Sequence, residues 1–536
     1  MTPVSGLKFR ASAAVVLIRD HGGSLEVFWV RRSDLVPYMP GFDAFVGGTA
    51  NADDVELAER LGAAAGFRLD EPGGPEVLKG LALEACAIRE TFEEAGVLLG
   101  LSSLARPEEF EDARQRLLEG SATFLELARE HGWQFRTGAL EFAARWTTPP
   151  FATARFDTQF FLARLPEGQE PSIVPGELKS GEWIVPAQAI ERWKRGEATF
   201  AAPILYTLIE LMRGEQDLGE RLRSSPKRTG DPIRRIELKW GVVLQPMKTR
   251  PLPPATHTNT YLVGDRELAL IDPGSGDPDE LDALDRLIET LRPDGRTLTT
   301  ILVTHAHPDH IGGLEAVRAR YQVPVLAHAA IAPLVRADRT LADGDVVPLA
   351  SSAGDFSLRA LHTPGHARGH LCFLNARTRS LFTGDHIPGG AGTVIIDPPE
   401  GDMTDYIQSL ERLLREPVET IFPGHGSPQG AGKRRIQGLI AHRLERERKV
   451  LAALAPALRA LKELVERAYA DTPRELWEYA ERSLLAHLIK LEHEGRAARE
   501  GAPVGARAGA GASASGGAAP AAAPAADAAT RWRSAT

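Results

Sequence analysis

The run Thr304-His305-Ala306-His307-Pro308-Asp309-His310 places three imidazoles and a carboxylate within six residues. Neutral imidazole and carboxylate are ligands that borderline-soft Zn²⁺ takes, and hydrolytic zinc sites keep one position open for water. A second group capable of chemistry is Arg89-Glu90-Thr91-Phe92-Glu93-Glu94-Ala95-Gly96. On a helix, Glu90, Glu93 and Glu94 fall at i, i+3 and i+4 and share one face. Their like charges repel unless cations bind there, and oxygen-rich clusters suit Mg²⁺ or Mn²⁺.

The elements that must position these groups are legible around them. Residues 299–304 are β-branched and apolar, a buried strand ending where the histidines begin, and Ile311-Gly312-Gly313-Leu314 opens a helix. The histidines therefore sit on a strand-to-helix loop. Downstream and upstream come Asp272 after the apolar run 268–271, His366 in Thr363-Pro364-Gly365-His366, Asp385 in Thr383-Gly384-Asp385 and His425 in Pro423-Gly424-His425. Nearer the start, residues 13–18 and 25–30 read as strands paired across His21-Gly22-Gly23-Ser24, leading to Phe45-Val46-Gly47-Gly48. An acidic insertion precedes the glutamate helix, and residues 155–162 and 181–185 read as further strands, with a helix over 187–195.

These five histidine and aspartate motifs, in this order, resemble those of the metallo-β-lactamase superfamily. The resemblance implies two zinc ions, one held by His305, His307 and His366 and the other by Asp309, His310 and His425, with Asp385 bridging. Asp272 would orient the ligand loop from behind, and Asp309 is also assigned to catalysis. Coordination to metal lowers the pKa of water to about 7, so hydrolysis of an ester, thioester or phosphodiester is expected. His362, His370 and His386 fall off the ligand positions, either behind the ligands or facing substrate, or simply as polar residues. His257, His328 and His442 read as structural.

The stretch from Arg89 to Gly96 resembles the second half of a Nudix box, with Gly47-Gly48 similar to its displaced first half. With Arg31-Arg32-Ser33 and Phe45-Val46, it looks like the coenzyme A and acyl-CoA diphosphatase branch. That resemblance implies cleavage of a phosphoanhydride, with Glu90, Glu93 and Glu94 holding Mg²⁺ or Mn²⁺, Glu93 and Glu94 catalytic, and Arg89 tying the helix to its loop. Counting back from Arg89 along an uninterrupted box puts Leu81 where a glutamate belongs, which points to a weakened site. Beyond His425 the chain is helical, and Ala441-His442-Arg443-Leu444-Glu445-Arg446-Glu447 with His487-Leu488-Ile489-Lys490-Leu491-Glu492 resembles the winged-helix tail of the β-lactamase-like endoribonuclease branch. Its last helix mixes Arg482 and Lys490 with Glu481, Glu492 and Glu494, which is not a basic footprint. The wing looks stunted, and a lid over the zinc cleft is the favoured role.

At 536 residues the chain exceeds one ordinary core. Its net charge of −9 gives no general attraction to nucleic acid or anionic membrane. Cys86 and Cys372 are too few for a disulfide framework, and no secretory pattern or spanning run is apparent, so a reducing cytoplasm and no membrane partner are expected. The expected architecture is a multidomain α/β and α+β chain. It comprises a Nudix α/β/α sandwich over 8–222, a linker over 223–237, a metallo-β-lactamase αββα sandwich over 238–435, a winged-helix-like helical domain over 436–500 and a disordered Ala/Gly/Pro-rich tail over 501–536. The expected function is a fused pair of metallohydrolases acting on small molecules such as an acyl-CoA or a nucleotide diphosphate. Single-stranded RNA cleavage is the alternative, and a nucleotide-sensing regulator whose winged helix contacts DNA is a third reading. Oligomeric state is left open.

Overall fold

The computed structural model describes residues 9–64, 74–102, 107–136, 138–149, 152, 154–224, 235–253, 255–352, 354, 356–390, 392–455, 458–500 and 530–535. Near the start, Arg10–His21 and Ser24–Arg32 form the expected antiparallel pair, and Gly22 and Gly23 take the left-handed backbone that the tight turn requires. Arg10–His21 also pairs in parallel with Phe156–Arg164 and antiparallel with Val46–Thr49, inside a seven-stranded sheet. Strand alternation sends Val15 and Leu17 to one face, against Ile88 and Phe92 of the helix Gly74–Ala95. Val16 and Ile18 go to the other face, against the helices Pro186–Lys194 and Ala202–Leu211. The result is an α/β/α sandwich. The expected linker stretch Ser225-Pro232 lies outside the described residues, and the next strand, Ile236–Lys239, is buried throughout.

Two further sheets stack face to face. One has seven strands, running from Arg339–Leu341 through Thr297–Leu302 and Glu267–Ile271 to Ile236–Lys239; the other has five, from Val346–Leu349 to Thr420–Pro423. Tyr261 packs edge-on against Phe382 and Phe422 between them. Pro278–Leu291 and Leu314–Tyr321 cover the outer face of the first sheet, and Met403–Leu413 and Gly432–Ala453 cover that of the second. This is the αββα layering.

The two sandwiches are locked together by backbone as well as side chains. Phe200 N–H donates to Leu238 O (2.9 Å) and Gly430 N–H to Pro40 O (2.8 Å), while Phe42 is buried in the core between the two stacked sheets. Arg31 pairs with Glu419 at 2.6 Å. Buried Lys239 donates to Gly196 O (3.2 Å) and Thr378 O (2.8 Å).

The last helices, Leu461–Ala468 and Trp477–His493, close on a three-stranded sheet that corrects two expectations. Disorder was expected across 501–536, but Arg531–Ser534 is a strand lying between Arg459–Ala460 and Ala497–Arg499; residues 501–529 lie outside the described residues. The wing, expected to be stunted, therefore has a paired partner strand. Alternation turns Trp532 inward onto Leu464, Leu488 and Leu491, where it is fully buried, and that apolar burial offsets the cost of ordering four residues. Trp532→Ala is expected to destabilise this module by about 3–5 kcal/mol, whereas Arg533→Ala, on the exposed face, stays within about 0.5 kcal/mol. Denaturant unfolding of both variants checks the contrast; equal effects would show that the strand adds nothing to the fold.

Candidate functional site

The histidine loop follows Thr297–Leu302, Asp272 follows Glu267–Ile271, Asp385 follows Ser380–Gly384 and His425 follows Thr420–Pro423. All four lie at the C-terminal ends of their strands, at one rim of the double sheet. Two glycines make the close approach feasible. A Cβ on Gly384 would come within 2.5 Å of Thr304 Oγ1, and one on Gly424 within 2.9 Å of Asp385 Oδ1.

Asp272 is the hub of this rim. Its Oδ1 accepts from Thr304 N–H at 2.8 Å, and its Oδ2 from Thr304 Oγ1 at 2.6 Å. Oδ2 also lies 2.8 Å from His310 Nδ1, so the carboxylate holds the proton there and turns the His310 Nε2 lone pair inward. The same device recurs around the cluster. His425 Nδ1 is 2.8 Å from His257 O, and His366 Nδ1 is 3.0 Å from Ile395 O.

The inward atoms form two trios. His307 Nδ1 lies 3.0 Å from His305 Nε2 and 3.1 Å from His366 Nε2. His425 Nε2 lies 3.3 Å from His310 Nε2 and 3.3 Å from Asp309 Oδ2. Asp385 stands between them. Its Oδ2 is 4.0 Å and 3.8 Å from His305 and His366 Nε2, and its Oδ1 is 3.2 Å from both His310 and His425 Nε2. Ring nitrogens that face one another, with the far nitrogens of His310, His366 and His425 engaged by oxygen, are satisfied by a cation, so the donor set fits divalent metal. Burial pushes His366 down to about 4, which leaves it neutral and able to coordinate at pH 7. Burial alone would raise Asp385, but His425 and His310 outweigh it and hold the carboxyl well below its usual range.

The neighbouring histidines divide. His386 is fully buried beside Tyr406, with ring centroids 4.8 Å apart, and neither nitrogen has a hydrogen-bond partner among the described residues, so it faces the core. His370 packs 5.2 Å from His305 and hydrogen-bonds Thr363 Oγ1 through Nδ1 at 2.9 Å, which puts it behind that ligand loop. His362 stacks on His328, away from the trios. The helical region beyond His425 braces the segment behind His366. Arg443 donates to Val394 O, next to the Ile395 carbonyl that His366 faces, and Arg482 lies 3.2 Å from Asp397. Lys490 pairs with Glu447 and Glu494, so the two cations of the last helix are both engaged within the chain.

In the first sandwich, Glu90, Glu93 and Glu94 open into a cavity of about 920 Å³. Glu94 Oε2 accepts from Gly47 N–H at 2.7 Å, tying the glutamate helix to the glycine strand. The expectation that Leu81 takes the place of the box's glutamate is corrected here. Leu81 is buried and apolar, and the carboxylate that meets Arg89 is Asp54, with Nε–Oδ1 2.8 Å and Nη2–Oδ2 3.0 Å. Asp54 is the sixth residue after Gly48, on the N-terminal side of the insertion. The sequence held this signal in Gly48-x-x-x-x-x-Asp54, masked because the insertion follows Asp54 rather than preceding it. Arg89 also reaches Glu90 (2.9 Å) and Glu93 (3.3 Å), and so spaces the cluster. Burial first, then Glu90, pushes Glu94 up to about 8; burial likewise raises Glu90 to about 7.

A family model described as the metallo-beta-lactamase superfamily matches residues 253–425. One described as the NUDT19 Nudix domain matches 63–211, and one described as a beta-lactamase associated winged helix domain matches 461–506. Among relatives, Lactamase-like protein notP of Aspergillus sp. (strain MF297-2) is 33% identical over 233 residues, 42% of this chain and 68% of that protein. Beta-lactamase-like protein 2 homolog of Drosophila melanogaster is 32% identical over 252 residues, 45% of this chain and 83% of that protein. Atrochrysone carboxyl ACP thioesterase dmxR1 of Cryptosporiopsis sp. (strain 8999) is 32% identical over 199 residues, 37% of this chain and 58% of that protein. The two hydrolase domains imply divalent-metal binding and small-molecule substrates, and among the described residues no helix is long and apolar enough to cross a membrane. The chain therefore belongs to the metallo-β-lactamase superfamily, as a hydrolase joined to a Nudix domain on one side and a winged-helix domain on the other.

Proposed function

We propose that the chain is a two-site hydrolase. Its metallo-β-lactamase half cleaves a thioester with two zinc ions, and its Nudix half cleaves the phosphoanhydride of a CoA-like or nucleotide substrate with Mg²⁺ or Mn²⁺. The observation that carries the first reading is the two-sided presentation of Asp385, with one oxygen toward each trio. His305, His307 and His366 would hold one zinc and Asp309, His310 and His425 the other, with Asp385 shared. When bound, such a pair supplies an activated water and a Lewis acid for the scissile carbonyl. Asp309, with Oδ2 3.3 Å from His425 Nε2, would be the residue that takes up a proton in that hydrolysis, while Asp272 would hold the His310 Nδ1 proton and leave Nε2 facing inward. The preference for a thioester rests on the thioesterase name of one relative and on chemical pairing with an acyl-CoA diphosphatase.

In the Nudix half, Glu90, Glu93 and Glu94 would hold the cation, with Glu93, the most exposed of them, nearest to solvent. Arg89 and Asp54 keep the helix and loop in register. For the C-terminal module, the ion pairs of Arg482 and Lys490 favour a brace over the zinc rim rather than a nucleic-acid surface.

Zinc- and magnesium-loaded protein incubated with an acyl-CoA should release free CoA plus acid, and separately acyl-phosphopantetheine plus adenosine 3′,5′-bisphosphate, both resolved by mass spectrometry. Asp309→Asn should lower the first reaction by about 10²–10⁴-fold and leave the second unchanged. Loss of neither product in the variant would remove Asp309 from the mechanism, and an intact acyl-CoA with wild type would turn attention to RNA.

Asp54→Ala leaves the Arg89 guanidinium buried without its carboxylate, and should cost about 3–5 kcal/mol along with most of the diphosphatase activity. Thermal unfolding and product formation read the two effects; an unchanged variant would mean Asp54 is not the box's missing carboxylate.

Glu90 and Glu94 are raised in the folded state, so the stability they contribute is present below the unfolded pKa and lost as pH rises through about 7–8. A cation among them reverses that loss. In zinc-loaded protein, added Mg²⁺ should therefore raise the unfolding midpoint more at about pH 8.5 than at about pH 6. An increment independent of pH would place Mg²⁺ elsewhere.

A further inference from the structure

The cavity that holds the Nudix glutamates is not built by the Nudix domain alone. Its near end carries Arg89, Glu90, Glu93 and Glu94, and its Nudix wall includes Phe45, Trp146, Phe160 and Ile204. The opposite wall comes from the metallo-β-lactamase domain: Ile236, Leu238 and Leu244 from its first two strands, and Ser427 and Pro428 from the loop just after His425. One end is therefore suited to a cation-bound diphosphate, and the rest is largely hydrocarbon and aromatic.

The second wall is held in place. Phe200 N–H donates to Leu238 O, Trp193 Nε1 donates to the same carbonyl at 3.1 Å, and Gly430, two residues past Pro428, donates its N–H to Pro40 O. Within this wall Ser427 is 8% exposed, and its Oγ has no hydrogen-bond partner among the described residues. A buried hydroxyl left without a partner costs roughly 1–3 kcal/mol unless something meets it. It lines the cavity, where a polar linker between headgroup and tail, such as that of an acyl-CoA, can meet it and a plain alkyl chain cannot.

We infer that the Nudix site is a composite one, which binds a diphosphate bearing a long apolar group and lays that group against Ile236, Leu238 and Pro428 of the metallo-β-lactamase domain. Each buried methylene is expected to tighten binding by about fourfold until the wall is covered. The inference rests on the phosphoanhydride reading of the Nudix half for the orientation of the ligand, and it adds that the second domain selects the tail.

The test uses the full wild-type chain loaded with zinc and Mg²⁺, and two photoreactive probes with a diazirine at the end of the tail: a hexadecyl diphosphate and a palmitoyl-CoA analogue. ADP, which has no apolar tail, serves as headgroup competitor. After irradiation, tryptic peptides are mapped by mass spectrometry, and hydrolysis of each probe is followed in parallel. The expected result is saturable labelling of peptides containing residues 236–244 or 427–428, reduced by ADP, with the better-labelling probe identifying the headgroup source. Labelling confined to residues 9–224, or no saturable labelling, overturns the composite site. Labelling of both domains without hydrolysis leaves the composite site standing and defeats the diphosphatase reading instead. As a second readout, Ile236→Trp should lose at least about tenfold in affinity for the hexadecyl probe and change ADP binding little. Equal losses for both ligands would count against a tail-binding wall.

Discussion

The histidine rim depends on one buried carboxylate. Asp272 is 1% exposed, sits at φ 51°, and accepts from a backbone amide, a hydroxyl and an imidazole that belong to the same loop. A buried anion with three donors around it is stable only if all three are present. The carboxylate therefore fixes both where Thr304 ends its strand and which nitrogen of His310 points inward. A left-handed aspartate is strained, and the strain is sustained because the two strands flanking it, Glu267–Ile271 and Thr297–Leu302, are paired in parallel and leave the loop little freedom. The inward aim of His310 Nε2, 3.3 Å from His425 Nε2, follows from a loop held in this way.

The same logic runs the other half on a different charge. There the fixed group is a cation, Arg89, buried between Asp54, Glu90 and Glu93. It offsets part of the repulsion within the glutamate cluster and leaves Glu94 to the Gly47 amide. Both sites thus use one buried, fully partnered ion to hold groups that would otherwise repel or turn away. The two halves are also joined as a single packed body through main-chain hydrogen bonds and the pair of Arg31 with Glu419. That is why a cavity opening on the Nudix glutamates can have a wall from the other domain.

Much of this was legible in the chain. The strand and helix placements around residues 13–30 and 299–314 followed from apolar periodicity and turn glycines, because local patterns of this kind are enforced by burial on one face. Two features were misread for reasons of range. Counting back along a continuous box reached Leu81, since sequence distance was taken for spatial distance, whereas the helix Ala52–Ala64 folds back to bring Asp54 to Arg89. Composition predicted disorder to the end of the chain, because a run of alanine and glycine cannot bury itself. A single Trp532 supplies apolar area that only a distant cluster of leucines can accept.

By itself, the sequence determined the families and divalent-metal hydrolysis as the class of chemistry, and it marked a set of candidate ligands, since a short spacing such as His-x-His-x-Asp-His is a local property of the chain. The tertiary structure alone decided how those groups face one another: that Asp385 divides its two oxygens between the trios, that His386 turns into the core while His370 backs the loop, and that Ile236, Leu238 and Pro428 line the Nudix cavity. The physical reason is that ligand type is a matter of side-chain chemistry, whereas orientation and shared walls come from packing between segments hundreds of residues apart, which no local pattern encodes.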